Sequence, residues 1–195
     1  MGIKSKKYRK KINLVAYPRS GMHFVRGTLE SYGVEIFWGH DRFTGFKLSG
    51  VCYLYRNPVD VIYSWQATSH QIGEKSRKFK ENYILRKARQ LKTHRNFYFS
   101  NAGHVVKFED LVKDIGLWKG VVEFFGKEYN EERIKEALAD NTKEKIIEKF
   151  KNHYNNGQKY KWINSNMMTN EYEENRKLFY DLYAQKINNI IFGGR

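Results

Sequence analysis

The stretch LVAYPRSGMHFVRGTLESYG, from Leu14 to Gly33, decides the fold of this chain. A short apolar run leads into Pro-Arg-Ser-Gly, and an amphipathic segment starts immediately afterwards. The apolar run predicts a strand buried on both faces. The spacing of the apolar residues that follow predicts a helix from Met22 to Tyr32, with Gly33 as its C-cap. Strand, glycine-bearing turn and helix therefore follow one another directly.

Strand and helix patterns alternate along the rest of the chain. The predicted strands cover residues 11–17, 34–38, 50–55 and 104–108. The predicted helices after the first cover 58–68, most of 70–95, 118–125, 131–138, 142–150 and 170–190. In the last helix we expect a core-facing set made of Tyr172, Leu178, Phe179, Leu182 and Tyr183. Alternation of this kind favours an α/β fold with a mainly parallel sheet.

Composition indicates a globular protein with a basic surface. The chain has 195 residues, of which 41% are hydrophobic and 16% aromatic, so we expect a single folded domain, from residue 12 to 195. Residues 1–11 are rich in lysine and arginine, and we expect them to form a basic arm. The net charge of +15 suits an anionic partner: nucleic acid, a phosphate-bearing cofactor, an acidic glycan or a membrane surface. A lysine-rich surface that serves solubility alone explains the charge equally well.

The single cysteine excludes an intramolecular disulfide and a multi-thiolate zinc site. Cys52 lies in the apolar run VCYLY and is predicted to be a buried strand residue. The start MGIKSKKYRK has no apolar signal region, and no segment approaches the length of a membrane span, which favours the cytoplasm. The histidines show no metal-ligand spacing, so no metal is expected.

The Pro-Arg-Ser-Gly turn is a candidate anion site. A strand that ends in such a turn and leads into a helix directs successive backbone N–H groups to one place, where the helix dipole adds positive charge. Arg19 adds a planar cation that matches phosphate or sulfate, and Gly21 lets the backbone approach a ligand closely. The turn is not a Walker A loop, and an ordinary strand-to-helix turn is the alternative.

A second anion signal is YRNPVDVIYS, from Tyr55 to Ser64. Arg56 follows a predicted strand, at the edge where open α/β sheets bind ligands, and Ser64 lies about two helical turns further on. Each residue also has a plain structural interpretation. Arg56 can pair with Asp60 on the surface, and Ser64 can simply fill a helix position.

Together these stretches resemble the sulfotransferase family that uses 3′-phosphoadenosine 5′-phosphosulfate (PAPS). The resemblance rests on Tyr-Pro-Arg-Ser-Gly before a helix, on Tyr-Arg-Asn-Pro-x-Asp-Val-x-x-Ser after a strand, and on Lys-Phe-Glu-Asp-Leu. A weaker similarity lies at Asn155–Trp162, where Gly157 and Trp162 match the family pattern. The resemblance implies a three-layer α/β/α fold with a mainly parallel central sheet, P-loop-NTPase-like, with PAPS as donor and 3′,5′-bisphosphoadenosine (PAP) as product.

The resemblance also implies cofactor-binding residues. The first loop would bind the 5′-phosphosulfate, and Arg56 with Ser64 would hold the 3′-phosphate. Arg19 stands where the family has lysine, and Met22 and His23 stand where it has two threonines. The implied cofactor-binding set is Arg19, Ser20, Gly21, Met22, His23, Phe24, Arg56, Ser64, Gly157 and Lys159. Phe24 takes the place of a tryptophan that stacks on adenine, and Lys159 and Lys161 offer charge where Asn155 and Asn156 replace a basic pair.

Catalytic roles follow from the same resemblance. Gly39-His40-Asp41 matches the segment that carries the family's catalytic histidine, so His40 is the expected base, with Asp41 as the alternative. Arg19 is the expected electrostatic clamp, because a guanidinium does not readily give up its proton. Transfer would be an in-line displacement toward a hydroxyl or amine acceptor.

Two other function classes stay open at this point. A P-loop-like kinase shares the strand, loop and helix, although a Walker lysine and a magnesium carboxylate motif are missing. A polyanion-binding protein would explain the charge and the basic, aromatic-rich stretch from Arg86 to Phe99. No nucleic-acid-binding signature accompanies that stretch. The resemblance implies a small-molecule or glycan acceptor as partner, with phenol, lipid and peptide acceptors also open and the oligomeric state undetermined.

Overall fold

A computed structural model describes residues 13–40, 48–71, 80–142, 144–146, 148 and 170–193. The chain forms two compact units, one drawn from residues 1–56 and 94–146 and the other from residues 57–93 and 147–195. The expected basic arm and the segment around Gly157 lie outside the described residues. The expectation of a single domain stays a prediction.

The first unit is built on a parallel sheet. Within the described residues, its strands are β1 (Leu14–Ala16), β2 (Trp38–Gly39), β3 (Cys52–Tyr55) and β4 (His104–Lys107), in the order β2-β1-β3-β4. Every pairing is parallel, with Leu14 aligned to Trp38 on one side and to Cys52 on the other. The mainly parallel sheet that the alternating pattern predicts is therefore confirmed, and its central strands are β1 and β3.

Both faces of this sheet are covered. One face packs against helices α1 (Met22–Tyr32), α4 (Phe108–Lys113), α5 (Trp118–Phe124) and α6 (Glu131–Ala139). The other face, with Val15 and Tyr53, packs against Tyr98 of α3 (Glu81–Asn101). Helix, sheet and helix make the three layers of the expected fold, and β1 is fully buried because both faces are covered.

The second unit contains α2 (Pro58–Gln71), the first part of α3, and α7 (Asn170–Phe192). Helices α2 and α7 pack together, and the Tyr63 hydroxyl donates to the Tyr172 carbonyl at 2.7 Å. Arg176 of α7 forms an ion pair with Asp60 of α2 at 2.9 Å. Among the described residues, no helix is both long and apolar enough to span a membrane.

Three sequence expectations differ from the structure. The helix expected over most of residues 70–95 covers Glu81–Asn101. The second strand was expected at 34–38 but covers Trp38–Gly39, because Asn13 binds the preceding segment: its side chain donates to the Glu35 carbonyl and accepts from the Phe37 N–H. In α7, the expected core residues Leu178 and Leu182 are each 50% exposed. Phe179, also expected in the core, is fully buried, which confirms that part of the prediction. The other buried apolar side chains of α7 are Ile187 and Ile191, eight and twelve positions further on.

Candidate functional site

The carboxyl ends of β1 and β3 lie side by side, because the two strands are paired in parallel with Ala16 opposite Leu54. The chain leaves β1 through the Pro-Arg-Ser-Gly turn and leaves β3 through Arg56. Arg56 Nη1 donates a hydrogen bond to the Arg19 carbonyl oxygen at 3.3 Å. Two segments that are 37 positions apart in sequence thus meet at one sheet edge.

The turn has an unusual backbone. Arg19 adopts φ 77° and Gly21 adopts φ 88°, both in the left-handed region. A non-glycine residue rarely occupies this region, and such residues cluster at ligand sites. The turn delivers the chain directly into α1, where the N–H groups of Phe24 and Val25 both donate to the Gly21 carbonyl, at 3.1 and 3.2 Å. The positive end of the helix dipole lies at the Pro-Arg-Ser-Gly turn.

Ser20 lies inside this turn. Its residue is 1% exposed, and its hydroxyl oxygen Oγ has no hydrogen-bond partner within the part of the chain that the structure describes. A buried hydroxyl without a partner is costly, so it indicates a place where a ligand oxygen completes the bonding. Ser20 therefore fits an anion held by the turn.

Phe108 closes the other side of the turn. A Cβ atom added at Gly21 would lie 2.2 Å from Phe108 Cδ2, so glycine is required here by close packing as well as by its φ angle. From the sequence, Gly21 was expected to let the backbone approach a ligand closely. The structure shows that the space next to it belongs to the Phe108 ring.

The guanidinium of Arg56 is held on several sides. Its Cζ atom lies 5.2 Å from the centre of the Phe108 ring, a cation–π contact, and Nε lies 3.9 Å from Glu109 Oε1. Arg56 Nε is buried and donates no hydrogen bond among the described residues. An arginine fixed in this way keeps donors available for an anionic ligand.

His40 follows β2 directly. Its Nδ1 lies 2.6 Å from the carbonyl oxygen of Ala16, the last residue of β1. A carbonyl can only accept, so Nδ1 carries a hydrogen, and in the neutral ring Nε2 then carries the lone pair. The His40 side chain is exposed, which leaves Nε2 able to take a proton from a bound molecule.

The ring of Trp38 contacts two imidazoles. Its centre is 5.6 Å from that of His40 and 5.7 Å from that of His23, both in edge-to-face geometry. Burial lowers the pKa of His23 to about 4, helped by the nearby charges of Arg26, His40 and Arg19. His23 is therefore a neutral imidazole at pH 7.

The other expected site residues occupy different settings. The Met22 side chain is buried in the core, so only its backbone can serve the turn. The Phe24 ring makes edge-to-face contacts with Phe108 and Trp118. Ser64 is buried in α2, in the second unit. Asp41, Asn155, Asn156, Gly157, Lys159 and Lys161 lie outside the described residues.

Three neighbours of the site were not among the expected functional residues: Trp38, Phe108 and Glu109. The signal for two of them was present in the sequence, since Lys-Phe-Glu-Asp-Leu starts at the end of β4 and so belongs to the same sheet edge. Trp38 could have been found from strand alternation, because residues two apart on a strand share a face and His40 is two positions away.

Comparisons with known proteins support the fold. A solved structure with a similar fold is that of mouse sulfotransferase SULT7A1 in complex with PAP, with a TM-score of 0.58 over 93% of this chain and 84% of that chain, at 13% sequence identity. No family model matches this sequence, and no curated protein matches it. At this identity the likeness establishes a sulfotransferase-like α/β fold.

Proposed function

We propose that this protein is a PAPS-dependent sulfotransferase that acts on a hydroxyl or amine acceptor. The observation that carries the proposal is the contact between Arg56 and the Arg19 carbonyl, which joins two cationic strand ends at the N-terminus of α1. A nucleotide with phosphate groups at both its 3′ and 5′ positions matches two such cations. The mouse structure of similar fold is described as a complex with PAP, which agrees with this choice.

The donor-binding residues divide into two groups. The Ser20 hydroxyl, Arg19 and the positive end of the α1 dipole are suited to the 5′-phosphosulfate, since they combine positive charge with a buried hydroxyl that has no partner among the described residues. Arg56 is suited to the 3′-phosphate. The resemblance alone adds Ser64, Gly157 and Lys159 to this group, and Phe24 as the ring for adenine.

His40 is the proposed base. When bound, PAPS supplies an activated sulfuryl group and a stable phosphate as leaving group. The Nε2 lone pair of His40 takes the proton of the acceptor, while the bond from Nδ1–H to Ala16 stabilises the charge that the ring acquires. Arg19 holds negative charge at the turn without giving up a proton. Asp41 is the alternative base.

Titration calorimetry with PAP and with adenosine 5′-monophosphate tests the donor site. Replacing Arg56 with alanine should weaken PAP binding by about tenfold to a hundredfold, the usual worth of a hydrogen bond to a charged group, and should change monophosphate binding far less. Arg133→Ala is the matched control, because Arg133 also stacks on an aromatic ring, that of Tyr32 at the other end of α1. It should leave both affinities unchanged.

The same titration separates the other function classes. Binding of magnesium-ATP without binding of PAP would contradict the proposal and would indicate a kinase. Salt-dependent binding of nucleic acid with no nucleotide binding would replace it with a polyanion-binding protein. A screen of phenols, glycans, lipids and peptides with labelled PAPS then identifies the acceptor. A cytoplasmic location belongs to the proposal as well, because the matched motifs resemble those of cytosolic sulfotransferases.

A further inference from the structure

One hydrogen bond does not fix the His40 ring. The bond from Nδ1–H to the Ala16 carbonyl sets which nitrogen carries the hydrogen, yet the side chain is exposed and can rotate about that contact. Imidazole in water favours the other tautomer, in which the hydrogen sits on Nε2. That tautomer would leave the exposed nitrogen unable to accept a proton. A second contact that holds the ring on Ala16 would preserve the tautomer that can accept a proton.

Trp38 supplies that contact. Trp38 is the first residue of β2 and His40 directly follows the strand, two positions further on, so continued alternation places their side chains on the same face. Their ring centres are 5.6 Å apart with an interplanar angle of 71°, the edge-to-face geometry that aromatic pairs favour. A tryptophan has only two side-chain torsions, so a packed indole is a rigid support.

Helix α1 holds Trp38 in turn. The His23 ring meets Trp38 at 5.7 Å and 68°, and the Arg26 guanidinium carbon lies 5.4 Å from the centre of the Trp38 ring. Arg26 is itself fixed by Glu30, with Nε 2.7 Å from Oε1. The inner part of Trp38 packs against the hydrophobic core. The indole is thus supported by the core and by two side chains one helical turn apart.

We propose that Trp38 is a positioning residue, which holds His40 in the Nδ1–H tautomer and presents its Nε2 lone pair to the acceptor. The inference rests on the proposed role of His40 as base. It adds a residue that lies outside the matched family motifs, and it assigns a role to His23 and Arg26 as supports of the indole.

Nitrogen-15 NMR of the histidine side chains tests the proposal without any acceptor. The wild-type protein should show His40 as the Nδ1–H tautomer, with its signals assigned by their loss in His40→Gln. Trp38→Leu should lower the ratio of Nδ1–H to Nε2–H tautomer by about three- to tenfold, the worth of one aromatic contact. Trp38→Phe keeps a ring and should restore most of the wild-type ratio.

His104 gives an internal control, because it stacks on Phe124 at 5.4 Å in the same unit and its signals should not change. Arg26→Gln removes the cation–π contact to Trp38 without changing a core residue. It should lower the ratio of Nδ1–H to Nε2–H tautomer of His40 as well, by a smaller factor. If Trp38→Leu does not fold, Arg26→Gln decides the question. An unchanged His40 tautomer in the folded variants overturns the proposal.

Titration of PAP against the same variants keeps this question apart from the proposed function. Trp38→Leu should still bind PAP, since Arg56 and the Ser20 turn are untouched, with a change no larger than the loss of the His23 contact to Trp38 produces. If the wild-type protein fails to bind PAP, the sulfotransferase proposal fails while the tautomer result still stands. If PAP binds and the tautomer does not respond to Trp38 or Arg26, the positioning role alone fails.

Discussion

Replacing Gly21 with alanine should destabilise the protein by about 2–4 kcal/mol. Two separate costs add up. The φ angle of 88° lies in the left-handed region, which costs an alanine about 1–2 kcal/mol, partly offset by about 0.4–1 kcal/mol from the stiffer unfolded chain. The new methyl group would also lie 2.2 and 2.3 Å from two carbons of the Phe108 ring, and overpacking of this kind costs about 1–3 kcal/mol.

Gly126 offers a control that isolates the backbone cost. Its φ angle is 74°, also left-handed, and an added Cβ would meet no atom within 4 Å. Gly126→Ala should therefore lose about 1 kcal/mol, from the backbone alone. The difference between the two variants measures the packing of Phe108 against the turn.

Urea denaturation followed by circular dichroism gives both free energies by linear extrapolation. The same substitution can be measured in protein that already carries Phe108→Leu. The leucine side chain can move away from a methyl group at position 21, so Gly21→Ala should there destabilise the protein about as much as Gly126→Ala does. The reasoning is refuted if Gly21→Ala and Gly126→Ala are equally destabilising in the wild-type background, because the ring would then make no contribution.

Two further predictions concern the site. Arg19 has a φ angle of 77°, so Arg19→Gly should be more stable than Arg19→Ala by about 1 kcal/mol, while both variants lose PAP affinity to the same extent. Equal stability in thermal melts would contradict the backbone argument. The pKa of His23 is about 4 in the folded protein and about 6.5 in the unfolded chain, so between these values the unfolded chain binds a proton that the folded protein does not. The free energy of unfolding should therefore fall by about 1–2 kcal/mol as the pH drops through this window, after allowance for solvent screening. Denaturation at pH 7.5 and at pH 4.5 measures this change, and His23→Gln should make it smaller.

The fold was largely readable from the sequence where local signals agree. The bounds of α1 were predicted correctly, because its apolar spacing starts directly after a glycine and ends at Gly33, whose N–H caps the helix. Cys52 is a fully buried strand residue, as the run around it predicts. The second strand was misplaced because the Asn13 side chain, 22 positions away from Glu35, binds the segment before it. A long-range bond of that kind leaves no local pattern.

The candidate site was predictable in outline only. Parallel pairing places Arg19 and Arg56 at the same sheet edge, and that much follows from the order of strands and helices. The contact of Phe108 with the Gly21 position depends on the packing of side chains from separate elements, which no local pattern reports. Strand alternation relates Trp38 to His40, yet it does not give the edge-to-face geometry of their rings.

The close fit between Gly21 and Phe108 also restricts how this sequence can change over generations. A side chain can enter position 21 only once the ring at 108 has become smaller or turned aside, whereas a smaller residue at 108 can be accepted first with the glycine still present. Substitutions at these two positions thus have a required order. In descendants of this chain, the loss of the phenylalanine should come before the loss of the glycine.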